Sequence, residues 1–167
     1  TTTVDFYHDV PATLDSVETA FGADSRRELE QFLAYAKQIW EIASPPFVYG
    51  PAPSVGRVFG LGPSYWAQLP RIDATRTMWQ TITSYITDPR LRAILARFST
   101  YNGSDARQAP GTLNCIAHVE IALGGYGIRG GVQALVQAMA TLATELGVDI
   151  RTNSPVQTID IHRKRVR

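Results

Sequence analysis

Cysteine is almost missing from this chain. Cys115 stands alone among 167 residues, which excludes an internal disulfide and any cysteine metal cluster. An excess of charge is missing too. Sixteen basic against 15 acidic residues leave a formal charge of +1, so nothing in the balance draws the chain towards nucleic acid or an anionic membrane. The basic side chains are not interleaved with aromatics, as base stacking requires, and no nucleic-acid partner is expected. No apolar run approaches the roughly 18 residues of a transmembrane helix, and no signal-peptide pattern opens the chain. There is no G-x-S-x-G elbow and no Walker loop. A reduced, cytoplasmic setting fits these absences. The chain starts at Thr1 rather than Met and stops in the basic run His162–Arg167, which reads as a solvated end. An internal piece of a longer protein is expected.

With 44% hydrophobic and 19% charged residues, what is present is a globular composition with strong helical periodicity. Residues Thr2–Tyr7 alternate as a short strand would. Leu14, Val17 and Phe21 share a helical face over Thr13–Phe21, with Asp15 and Glu18 near its start and Gly22 as its stop. Ser25 and Glu28 have capping-box spacing, and Leu29, Phe32, Leu33, Ala36, Ile39, Trp40 and Ala43 then form one apolar stripe. Ser44–Pro63 carries five prolines and four glycines, which predicts that regular structure stops there. It also carries Phe47, Val48, Tyr49, Val58, Phe59 and Leu61. Two readings follow: a loop packed on its own core, or a surface that meets an apolar substrate or a membrane.

Helices are predicted again from about Asp73, with Met78, Trp79, Ile82 and Ile86 spaced for burial, and from Asp88-Pro89 to about Thr100. Pro110–Ala122 reads as a buried helix interrupted by Asn114, His118 and Glu120. Five glycines between Gly124 and Gly131 lead into an amphipathic helix bearing Val132, Leu135, Val136, Met139, Leu142 and Leu146, closed by Gly147. Val148–Arg151 and Val156–Ile161 read as two strands. The fold class expected is α+β and predominantly helical, with residues 1–124 as one domain and 125–167 as a C-terminal αββ piece.

Two motifs match chemistry by letter only. Gly125–Gly130 fits G-x-G-x-x-G, but the preceding Cys115–Leu123 reads as helix rather than strand, and Asp149 opens the following strand instead of closing it. His118-Val119-Glu120 has the H-x-E form of zinc deaminases but lacks their downstream cysteines, so no metal is expected. Glu120 could handle a proton, although the sequence offers it no partner.

The residues Phe98–Ser104, Ala109-Pro110, Leu113-Asn114 and Ala117–Glu120 resemble carotenoid desaturases of the phytoene desaturase type, and within these the hydroxyneurosporene or methoxyneurosporene dehydrogenase branch. Gly130-Gly131, Leu135, Leu142-Ala143, Glu145–Val148 and Val156–Ile159 are similar to a segment shared across the wider flavin amine oxidase-like group. The resemblance implies a helical substrate domain joined to part of a flavin-binding domain. It implies an FAD-dependent enzyme that desaturates a carotenoid, in this branch by 3,4-desaturation of a 1-hydroxy or 1-methoxy carotenoid. By the family pattern Gly130, Gly131 and the backbone of Val156 approach FAD. Tyr126 and His118 stand at the substrate end by position, and no catalytic residue is assigned. One flexible residue should suffice to start the following helix, so the glycine pair reads as flavin clearance. The glycine loop and first strand of such enzymes are not in this chain, so FAD binding and activity are not expected of it alone. Further expectations are substrate entry from the membrane through Ser44–Pro63, a cytoplasmic protein peripheral to the inner membrane, and self-association through uncovered surfaces. The alternative is a non-catalytic helical module that binds an apolar ligand or a protein partner.

Overall fold

The longest predicted stripe becomes the central helix of a computed structural model that describes residues 2–51 and 54–166. Helix α2, Ala23–Phe47, buries Leu29, Phe32, Leu33, Ala36, Ile39 and Ala43; Trp40 at the edge of the stripe is only half-buried. The Ser25–Glu28 capping box does not form. A single glycine, Gly22, separates α2 from α1 (Val10–Phe21), and its N–H closes α1 on the Glu18 carbonyl. Ser25 therefore lies inside the first turn of α2 and donates back to Phe21 O. The Glu28 carboxylate instead accepts the N–H and hydroxyl of Thr87 at 2.9 and 2.7 Å.

Helix α1 begins three residues earlier than its apolar spacing suggested, because Asp9 caps Ala12 N–H and Pro11 occupies the first turn. Asp15 and Glu18 consequently sit within the helix, where both pair with Arg26. The expected strand at Thr2–Tyr7 is absent. Among the described residues no neighbouring strand offers a ladder, and side chains of α1 take up its backbone groups. Thr13 Oγ1 accepts Tyr7 N–H and donates to Tyr7 O, and Ser16 Oγ accepts Asp5 N–H.

Ser44–Pro63 is more ordered than its composition predicts; of this stretch, Ala52 and Pro53 lie outside the described residues. Helix α2 runs on through Pro45 and Pro46, and two short helices follow, α3 (Val55–Gly60) and α4 (Pro63–Trp66). Proline at position 46 cannot supply the N–H that would normally reach Ile42 O. The Tyr65 hydroxyl donates to that carbonyl instead, at 3.0 Å. Trp66 Nε1 donates to Val58 O, and its ring meets Phe59 edge-on. The stretch is held by its own contacts while Val48, Tyr49 and Phe59 stay exposed. Among the described residues, no helix is long and apolar enough to cross a membrane.

The chain divides into two compact units, Thr1–Gly125 and Tyr126–Arg167. In the second, α8 (Val132–Glu145) forms as predicted and ends at Gly147 (φ 84), whose N–H reaches Thr144 O. Its apolar stripe, however, is uncovered: no residue of α8 is buried. The strands expected at 148–151 and 156–161 also fail to form as such. The sheet is a hairpin of β1 (Ile161–His162) and β2 (Arg165–Val166), turned by Arg163 and Lys164, both with positive φ. A two-residue left-handed turn lets adjacent residues pair locally, whereas residues 148–151 find no partner strand. Residues 162–166 of the basic tail are exposed, as expected of a solvated end.

In the first unit, α5 (Met78–Tyr85) starts at a capping box of Thr77 and Gln80, later than Asp73. Its first three amides are all satisfied, Met78 by Ala109 O, Trp79 by Ala106 O and Gln80 by Thr77 Oγ1. Helix α6 (Pro89–Ala96) is capped by Asp88 as predicted. Asp73 has a separate task. It is buried, with φ 52, and its carboxylate accepts from Tyr35 (2.6 Å), Thr81 (2.8 Å) and Arg76 (2.8 Å). Gly111 packs so closely that a Cβ there would lie 2.8 Å from both Asp73 O and Oδ2. Burial pushes the Asp73 carboxyl up, but the bonds from Arg76, Tyr35 and Thr81 outweigh it and hold it below the ordinary carboxylate value. Asp73→Asn should cost on the order of 3 kcal/mol. It should appear as a lower urea midpoint at unchanged slope. Because the folded value is depressed, the part of the difference that comes from ionisation is present above the unfolded value, near pH 4, and is lost as pH falls through the folded value.

Candidate functional site

The apolar segment before the glycines is built in three windings. A 3-10 turn, Gly111–Asn114, passes into α7 (Cys115–His118) and then a π turn, Val119–Leu123, rather than one uniform helix. Wider π turns interrupt helices mostly where function requires a side chain to be re-aimed. Here His118 and Glu120 part company. His118 is 9% exposed and turns towards α2, lining a cleft of about 200 Å³ with Leu14, Leu33, Ala34, Lys37 and Ala122. Burial and Lys37 lower its pKa, with Glu41 opposing, so the ring is neutral at neutral pH. No hydrogen bond reaches the His118 side chain among the described residues.

Glu120 faces the 3-10 turn Arg97–Asn102, where Arg97 donates at 3.0 Å and Tyr101 donates its hydroxyl. That bond raises the Tyr101 pKa. The partners of Glu120 lie far off in sequence, Arg97 and Tyr101 at 23 and 19 residues; of the two, only Tyr101 falls in the family-like stretch. A second cleft, about 390 Å³, runs past Glu120, Phe6, Tyr7, His8 and Gly125. Among the described residues no three His, Cys, Asp or Glu side chains gather as metal ligands. Cys115 is half-buried, which pushes its thiol up to about 11 and makes it a poor nucleophile. Asn114 is buried with neither amide atom hydrogen-bonded.

The remaining predicted site residues fall in the second unit. Gly130 (φ 84) and Gly131 (φ 78, ψ 179) both adopt backbone that L-residues avoid, so the start of α8 uses both, not one. A Cβ at Gly130 would lie 3.2 Å from Ala134 Cβ, whereas one at Gly131 would meet nothing within 4 Å. No side chain caps α8, which leaves its first N–H groups open to an acceptor. Tyr126 is 92% exposed. Val156 is exposed and lies outside both strands, and no hydrogen bond joins it to the glycine pair among the described residues. The literal G-x-G-x-x-G at Gly125–Gly130 follows a π turn rather than a strand, so it lacks the βα context of a dinucleotide loop.

Residues 5–167 match the flavin-containing amine oxidoreductase family, and the chain belongs to it. It is similar to the hydroxyneurosporene desaturase of Rubrivivax gelatinosus, 28% identical over 89% of this chain and 28% of that protein. It is also similar to 4,4'-diaponeurosporene oxygenases of Staphylococcus haemolyticus (31% identical, 95% of this chain, 31% of the relative) and Staphylococcus aureus (29%, 99% and 33%). The chain thus spans about a third of the length of these relatives.

Proposed function

We propose that the chain is the substrate-domain portion, with one flavin-contacting segment, of an FAD-dependent enzyme that desaturates a carotenoid, by 3,4-desaturation of a 1-hydroxy or 1-methoxy carotenoid. The observation that carries this reading is the family match over nearly the whole chain, joined to relatives whose names specify neurosporene derivatives. The local structure fits the cofactor. Gly130 and Gly131 bring bare backbone to the uncapped start of α8, and the open space at Gly131 leaves room for a flat ring or an anionic group. Flavin, when bound, accepts the hydride. The protein's part is to present Gly131 without a side chain, to let the Val156 backbone meet the adenine, and to align an apolar chain with His118 and Tyr126 at its near end.

Gly130→Ala and Gly131→Ala in the full-length protein should lose flavin absorbance while far-ultraviolet circular dichroism stays helical; flavin content equal to wild type in both would remove the steric role. The 167-residue chain alone holds too few cofactor contacts to offset the cost of immobilising FAD. Titration with FAD should leave flavin fluorescence unquenched, and stoichiometric quenching would place the whole site within this chain.

We also infer that the proline-rich stretch is the face through which substrate leaves the membrane. The exposure of Val48, Tyr49, Phe59 and Trp66, together with the apolar cleft of about 360 Å³ bordered by Ile42, Pro45, Pro46, Leu61 and Tyr65, supports this. Replacing Phe47, Phe59 and Trp66 by Ser should cut liposome flotation of the full-length protein by about tenfold or more, since each exposed aromatic contributes transfer energy of a kcal/mol or so. Undiminished flotation by a folded variant would refute it.

A further inference from the structure

The cleft between α1, α2 and the π turn has a polar group that the rest of the molecule does not use. Its walls are Leu14, Leu33, Ala34 and Ala122, and His118 is the nine-tenths-buried side chain set into it. Elsewhere in the first unit, buried polar side chains are mostly paired: Thr13 with Tyr7, Ser25 with Phe21, and Asp73 and Thr81 with each other. The His118 ring has no such partner. Its nitrogens are not among the buried atoms sealed from solvent, so the one side of the ring that opens on a space rather than on packed atoms can be served by water or by a ligand that displaces it. The space, about 200 Å³, equals roughly six or seven waters in the liquid. That is too small for a long polyene and suits one end of a branched chain. Glu30 and Lys37 stand at the rim, so the interior is apolar and its mouth is wet.

We propose that this cleft is a subsite for an apolar chain end that carries a hydroxyl, with the neutral His118 imidazole as the hydrogen-bond partner of that oxygen. The proposal rests on the reading of the chain as part of a carotenoid-desaturating enzyme and names what selects the substrate's end. A neutral imidazole offers one donor and one acceptor, and a hydroxyl answers either. An all-hydrocarbon end would fill the walls but leave His118 unpaired, which is how a buried polar group discriminates against an isostere lacking the partner atom. In a 1-hydroxy chain the oxygen-bearing carbon is one carbon away from the 3,4 bond. Holding the oxygen therefore fixes the register of the reacting bond. His118 is a positioning and specificity residue here, and it moves no proton in the reaction.

The test uses the 167-residue chain without flavin and two probes, 2-methyl-2-heptanol and 2,2-dimethylheptane, which differ by hydroxyl for methyl. The imidazole resonances of His8, His118 and His162 are followed by NMR during titration. The alcohol should shift His118 saturably and leave His8 and His162 in place. Ala34→Phe, which fills the cleft from an exposed helix position, should abolish the shift without loss of helix. His118→Phe should weaken the alcohol about fivefold and leave the hydrocarbon, measured by displacement of a bound apolar dye, unchanged. An unmoved His118 resonance, equal shifts in Ala34→Phe, or a His118→Phe variant that binds the alcohol as well as wild type would each overturn the subsite. Since no flavin or turnover enters these measurements, a failed desaturation assay on the full-length protein would count against the proposed reaction and leave the subsite standing.

Discussion

One buried carboxylate holds the first unit together. Asp73 is approached from three directions in sequence: Tyr35 from the middle of α2, Thr81 from α5, and Gly111 from the turn that begins the site segment. Tyr35 also stacks near Phe32 and Tyr85, with ring centroids 5.9 and 5.3 Å away, so the ion and the aromatic cluster share a side chain. A charge in such a place is tolerable because Tyr35, Thr81 and Arg76 all donate to it. Its consequence reaches the candidate site directly. Thr112 donates to Ile72 O at 2.6 Å, one residue before Asp73, and six residues later the same segment presents His118. The segment that presents His118 and Glu120 is therefore anchored in part by a contact that neither of them makes.

The sequence was legible where structure is local. Apolar spacing located α1, α2, α6 and α8, and a glycine stop ended α1 and α8, since a helix carries its hydrogen bonds within itself; α2 instead ran on past its expected end to Phe47 and α6 stopped at Ala96, short of Thr100. Strands were misread at Thr2–Tyr7, Val148–Arg151 and Val156–Ile161 because alternation reports only a willingness to pair, and the partner must come from elsewhere. Pro45 and Pro46 misled in the opposite sense. Proline forbids its own N–H bond, yet the carbonyl it orphans can be served from outside, here by Tyr65, 23 residues away.

The candidate site was legible as a family pattern more than as chemistry. Ala109 and Pro110, which carried part of the resemblance, turn out to brace the segment: Ala109 O caps α5 and Pro110 bridges Thr77. Glycines at 130 and 131 were recognisable because backbone conformation at such positions is written in residue type. The partners of Glu120 and the open side of His118 were not, because residues two apart on a helix point to opposite sides and what stands on each side comes from segments distant in sequence.

The uncovered stripe of α8 bears on time as well as shape. A 14-residue helix with no buried residue sits near the length at which an isolated helix is only marginally stable in water. Its backbone amides should trade hydrogen with solvent through brief local fraying, while those of α2, beneath a shared core, wait for the whole unit to open. The two glycines that begin α8 would then stand at the front of a segment whose order is short-lived until something covers its far side.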